Sequence, residues 1–73
     1  MEETLAEALA TGMIIRIFCR NADGAQIDVG QAWARSTNHI RIRSLEDRRY
    51  RDIPLSDITS VEIIEVYLKD YGS

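Results

Sequence analysis

The hydrophobic pattern of the chain changes period near residue 13. Before it, Leu5, Ala8 and Leu9 recur three and four apart, which is one stripe of an amphipathic helix, and Glu2 and Glu3 stand in the first turn where the helix dipole favours carboxylates. Gly12 occupies the place of a left-handed C-terminal cap, so a single helix is expected over about residues 2–11. After it, Met13, Ile15, Ile17 and Cys19 alternate with other residues at period two, the mark of a strand with one buried face. Asn21-Ala22-Asp23-Gly24 is turn chemistry, because Asp-Gly accepts positive φ at little cost. A second strand follows with Ile27 and Val29 expected inward, and Gly30 is placed to bend it before Gln31 to Arg35.

The next hairpin contains the segment RIRSLEDRRYR, residues 41–51. A four-residue loop at Glu46 to Arg49 would set Leu45 against Tyr50, Arg43 against Asp52, Ile42 against Ile53 and Ile40 against Leu55, matching apolar with apolar and Arg with Asp. This register is expected over that of a two-residue loop, which would set Ile42 against Arg51. Pro54 has no N–H to give a ladder, so its strand is expected at an edge or to end there. The last strand is expected from about Ile58 to Tyr67. Its neighbours Ile63 and Ile64 point to opposite faces, which requires burial on both sides, a bulge or a covering partner. One N-terminal helix and five short strands with tight turns predict a mainly β domain, a small five-stranded antiparallel barrel of the Sm-like or SH3-like kind over about 13–67 with a short tail; an open sheet carrying the helix on one face is the alternative.

The 73 residues allow a single domain with a core close to marginal, which favours association with itself or a partner. Net charge is -3, yet it is unevenly spread. Residues 16–51 carry eight arginines against Asp23, Asp28, Glu46 and Asp47, a basic middle of about +4 between acidic ends. No apolar run is long enough to span a membrane and the N-terminus is acidic, so a cytoplasmic protein is expected.

Little in the chain suits catalysis, and no enzyme activity is expected. Cys19 and His39 are the sole residues of their types, too few for a metal site, and no phosphate loop or nucleophile elbow occurs, so neither metal nor cofactor is expected. Cys19 reads as a buried, reduced thiol. The arginines are the stronger lead. Arg48 and Arg49 fall at the predicted loop tip, Arg41 and Arg43 project outward, and Arg51 shares parity with inward Ile53 and Leu55. A buried unpaired guanidinium is too costly, so Arg51 must sit at a rim or meet a carboxylate, where it is a candidate anion contact. The competing reading has Arg43 paired with Asp52, and Arg48 and Arg49 paired with Glu46 and Asp47, in a solvated hairpin. Arg16, Phe18 and Arg20 share the face opposite Ile15 and Ile17, an interleaving that can hold phosphates and bases; alternatively Phe18 packs beneath Leu5 and Leu9 of the helix. Trp33, Ile64 and Tyr67 are candidate interface residues.

The stretch LAEALATGMIIRIFCRNADG, residues 5–24, resembles the opening of WYL domains, and DIPLSDITSVEII, residues 52–64, resembles that family's closing segment. Asn38-His39-Ile40 stands where that family has Trp-Tyr-Leu, and Asp57 where it has an arginine. Leu55, Ile58, Thr59 and Ser60 are also similar to a run in the last strands of the Rho-binding antiterminators. Both resemblances imply an Sm-like barrel and a non-catalytic regulatory module, binding a ligand or nucleic acid in the first case and a transcription factor in the second. The expected function is therefore a regulatory binding module in transcription or RNA metabolism contacting a protein partner, with RNA or single-stranded DNA binding, or sensing of a small anionic effector near Arg51, as alternatives.

Overall fold

A computed structural model of the chain describes residues 2–65. Helix α1 (Glu2–Thr11) is followed by strands β1 (Ile14–Asn21), β2 (Gly24–Arg35), β3 (His39–Ser44) and β4 (Tyr50–Pro54), a short 3-10 turn at Leu55–Asp57, and β5 (Ile58–Glu65). The helix ends as its sequence requires: Gly12 takes φ 67° and the Met13 N–H donates to the Ala8 carbonyl at 2.9 Å, closing a left-handed cap whose flanking side chains, Ala8 and Met13, enter the core together.

All five strands form one antiparallel sheet in the order β4-β3-β2-β1-β5. The sheet does not close into a barrel, since β4 and β5 remain its two edges among the described residues. Pro54 lies on the edge strand β4, where its missing N–H leaves no ladder bond unmade.

One face of the sheet makes the core. Ile15, Ile17 and Cys19 of β1, Ala32 of β2, Ile40 and Ile42 of β3, Ile53 of β4 and Ile58 of β5 pack with Leu5, Ala8 and Met13. The helix therefore covers the Ile15/Ile17 face. Phe18 has the opposite parity and does not lie beneath Leu5 and Leu9, so the expected packing of Phe18 under the helix is corrected.

Two further expectations are corrected by register. The β1–β2 turn sets Asn21 opposite Gly24, and counting back along the ladder brings Ile27 opposite Phe18 and Val29 opposite Arg16. Directly opposed residues share a face, so Ile27 and Val29 face away from the core. The β3–β4 hairpin is displaced by two residues from the expected pairing: Ile40 opposes Ile53, Arg41 opposes Asp52, Ile42 opposes Arg51 and Arg43 opposes Tyr50. Its loop runs from Leu45 to Arg48 and is closed by the Ser44 N–H on the Arg49 carbonyl at 2.8 Å, with Arg48 at φ 61°. A shift of two keeps Ile40, Ile42 and Ile53 on the core face, so burial tolerates either register and the loop backbone selects one.

Two local features mark the sheet, a close approach of strands and a bulge. Gly30 of β2 lies against β3 so closely that a Cβ would stand 2.5 Å from the Arg43 carbonyl oxygen. Ile64 is the extra residue of a bulge, because Ile14 opposes Glu65 while Ile15 opposes Ile63. Among the three readings of the Ile63-Ile64 pair, the bulge is the one observed. Tyr67 and the expected tail lie outside the described residues.

Candidate interaction surface

The face turned away from α1 is built row by row from cross-strand pairs. One row runs across all five strands as Tyr50, Arg43, Gln31, Ile14 and Glu65; the next holds Val29, Arg16 and Glu62, and the next Ile27, Phe18 and Ser60. Ile14, in the middle of this face, is only 3% exposed, shielded by the side chains around it. Ile27 is 59% exposed and Leu45, at the start of the β3–β4 loop, 53% exposed, while Phe18 and Val29 are half-buried. Leu45 is held beside Val29 by its N–H on the Val29 carbonyl at 3.3 Å. Phe18, Ile27, Val29 and Leu45 thus make an apolar band on this face, exposed at Ile27 and Leu45.

The arginines divide into paired and unpaired sets. Arg16 is ion-paired to Glu62 across β1 and β5, and Arg35 to Glu2 of the helix, with Nη2 at 2.7 Å from Oε2. Arg41 grips Asp52 with two hydrogen bonds, Nε to Oδ1 at 2.8 Å and Nη2 to Oδ2 at 3.1 Å. Arg51 has the inward parity expected of it and meets carboxylates at the rim, Asp47 at 3.1 Å and the largely buried Asp28 at 3.9 Å. Arg20, Arg43, Arg48 and Arg49 make no ion pair among the described residues. The pairings expected for the hairpin are corrected accordingly. Asp52 takes Arg41 rather than Arg43, because of the two-residue displacement, and Asp47 takes Arg51 and the backbone N–H of Arg49 rather than the side chains of Arg48 or Arg49.

These contacts set the acid strengths. The hydrogen bonds from Arg41 hold Asp52 below the usual carboxylate range, the Arg49 backbone N–H and then Arg51 do the same for Asp47, and the bond from Arg35 does so for Glu2. Cys19, buried on the core face, has its thiol pushed up by burial and by the charges of Asp28 and Asp57. His39 is exposed at the start of β3, where its backbone N–H donates to the Ser36 hydroxyl at 3.1 Å.

The interface candidates separate. Trp33 is the bulged residue of β2 and packs on Tyr50 of β4, ring centroids 5.2 Å apart and planes tilted by 59°, with the Arg41 guanidinium 5.9 Å above the Tyr50 ring. Ile64 stands on β5 at the opposite edge of the sheet, so Trp33 and Ile64 do not form one surface. Sequence reasoning missed Gln31, Ile27, Val29, Leu45 and Tyr50. The signal for Ile27 and Val29 was present, since any turn of even length at Asn21–Gly24 puts them on the side of Phe18.

Three recesses mark the sheet. Arg41, Asp52, His39, Ser36, Arg35 and Ala34 line one of about 290 Å³. Another, about 370 Å³, lies between Ile27–Val29, Ser44–Glu46 and Arg51. A third, about 220 Å³, is lined by Ile14, Gln31, Arg43, Ser44, Leu45 and Arg48. Among the described residues no helix is long and apolar enough to cross a membrane and no cluster of metal-ligating side chains occurs. Comparison with protein-family models, curated proteins and solved structures finds no match. The resemblances to WYL domains and Rho-binding antiterminators rest on the residues quoted for them.

Proposed function

We propose that this chain is a non-catalytic binding module that takes a protein partner on the sheet face opposite its helix, in the regulatory setting of transcription or RNA metabolism that its family resemblances imply. The observation carrying this reading is the band of Phe18, Ile27, Val29 and Leu45 on the sheet face away from α1, with Ile27 and Leu45 more than half exposed. Burying such a band is worth roughly 25 cal/mol per Å² of apolar surface, and a small domain with a limited core gains by covering it. The buried Cys19 and the exposed His39 support a role without catalysis. A lone unpaired cysteine suits a reducing compartment, and we place the protein in the cytoplasm. The strand order, with β5 beside β1, is compatible with the connectivity expected of an Sm-like fold.

Photo-crosslinking in the cells that make the protein tests this reading. A crosslinking residue at Ile27 or Leu45 is expected to capture a discrete partner, and one at Ala6 on the exposed side of α1 is expected not to. Absence of product at both sheet positions overturns the proposal, and a product of twice the chain's mass alone replaces the partner with a second copy.

A second reading, binding of single-stranded nucleic acid, draws on the four arginines without carboxylates. It has less behind it, because the other four are neutralised, Trp33 and Tyr50 are packed against each other, and Arg51, the candidate effector contact, already holds two aspartates.

A further inference from the structure

We propose that the recess between Arg43 and Arg48 is a carboxylate-binding subsite, reading an acidic side chain on a partner's peptide segment laid along the apolar band. The inference rests on the reading of that band as the partner face, and adds the chemistry of the partner: a segment combining acidic and aliphatic residues.

The lining of the recess is the first ground. Arg43 and Arg48 both reach it, with Ile14, Gln31, Ser44 and Leu45, and no acidic residue does. The nearest acids in the hairpin are engaged elsewhere. Asp47 accepts from the Arg49 N–H and from Arg51, Asp52 holds Arg41, and Glu46 lines the neighbouring recess beside Arg51. Two arginines thus line a partly apolar hollow that no acidic residue lines, and a carboxylate placed there would gain charge-assisted hydrogen bonds. Gln31 is fixed as one wall by its amide donating to the Gly12 carbonyl at 3.1 Å.

Backbone strain is the second ground. Arg48 is the sole residue other than glycine at positive φ among the described residues. Left-handed backbone is costly for an L residue and free for glycine, so the loop keeps an arginine in the lining of the recess at a position where glycine would be less strained.

The surroundings decide between a peptide and a nucleic acid. Leu45 belongs both to the recess and to the apolar band, so a carboxylate held by the arginines is followed directly by aliphatic surface. A base would want an open ring face, and none lines this recess. With net charge -3, the protein also offers no extended positive field for a phosphate backbone.

The test is a titration of the full isotope-labelled chain, followed by amide chemical shifts, with three probes: a short synthetic peptide of alternating aspartate and leucine, its asparagine–leucine counterpart, and an oligouridylate. The aspartate peptide is expected to shift the amides of Gln31, Arg43, Leu45 and Arg48 and to bind about ten-fold more tightly than the asparagine peptide, as loss of a charged partner in a pair of hydrogen bonds implies. Arg43→Gln and Arg48→Gly are each expected to remove most of that difference. Arg48→Gly relaxes the loop, so its thermal midpoint is expected to hold or rise while binding falls, which separates an anion contact from a structural one. Equal affinity for the two peptides, or unchanged affinity in both variants, overturns the carboxylate subsite and leaves the apolar face standing. Binding of the oligouridylate in place of the aspartate peptide overturns it in favour of nucleic acid. Failure of both peptides to bind also overturns it, and crosslinking at Ile27 and Leu45 then decides separately whether the face has a partner.

Discussion

Arg41 and Asp52 stand directly opposite each other on β3 and β4 and meet through two hydrogen bonds, at 2.8 and 3.1 Å, on the face away from the helix. The pair records the register of the hairpin, because the alternative alignment would bring Arg43 to the same aspartate. A double-mutant cycle should therefore show coupling between Arg41→Gln and Asp52→Asn, and additive effects for Arg43→Gln with Asp52→Asn. The opposite result would place the hairpin two residues away from the pairing described.

The same contacts give stability a direction in acid. Asp52, Asp47 and Glu2 have folded-state acidities lowered by their arginine and backbone donors, so over the range between folded and unfolded values the unfolded chain binds more protons. Their contribution is complete above the ordinary carboxylate range near pH 4 and is lost as pH falls through the lowered values. Chemical denaturation at a series of pH values should show stability falling below about pH 4, with a shallower fall in Asp52→Asn and in raised salt, since these groups are exposed and screened.

Much of this architecture was legible in the residues, and the failures share one cause. Helix α1, its Gly12 cap, the five strands, the edge position of Pro54 and the carboxylate partner of Arg51 all follow from local rules, in which one residue's chemistry has one structural consequence. Period-two alternation says that residues share a face but not which face, so Ile27 and Val29 looked like core until the turn at Asn21–Gly24 fixed their parity against Ile17. A register shift of two changes every cross-strand neighbour and no residue's side, so the hydrophobic pattern could not tell Arg41 from Arg43 as the partner of Asp52. The deciding element was the loop with Arg48 in left-handed backbone, a conformation that an arginine does not announce. The candidate site suffered for the same reason: its arginines were visible, while Ile27 and Val29 of its apolar band were assigned to the interior.

The two faces should respond differently to truncation. Ile17 is fully buried between the sheet and α1, and Ile17→Ala is expected to cost about 3 kcal/mol through lost contacts and the cavity left behind. Ile27 is exposed, and Ile27→Ser is expected to change stability by less than about 0.5 kcal/mol, as surface substitutions usually do. Denaturant midpoints of the two variants check both figures, and a large loss from Ile27→Ser would mean that the band is covered within the chain itself.

Gly30 offers the sharpest test of the close packing of β2 on β3. The difficulty there is a close approach of backbones: a Cβ at residue 30 would lie 2.5 Å from the Arg43 oxygen and 2.9 Å from its carbonyl carbon, with the Ile42 side chain at 3.2 Å. The first two obstacles are main chain and cannot swing aside, so the β2–β3 ladder must separate locally to admit even a methyl group. Gly30→Ala is expected to destabilise the protein by about 1–3 kcal/mol, the scale of overpacking a close contact, despite the better strand propensity of alanine. Gly24→Ala would also be disfavoured but for a different reason, its φ of 115° with open space around it. Amide exchange should distinguish them: loss of protection at Gly30 and Ser44 in the first variant, and at the β1–β2 turn in the second. Equal stability of Gly30→Ala and the parent chain would mean that β2 and β3 do not approach as closely as this sheet requires.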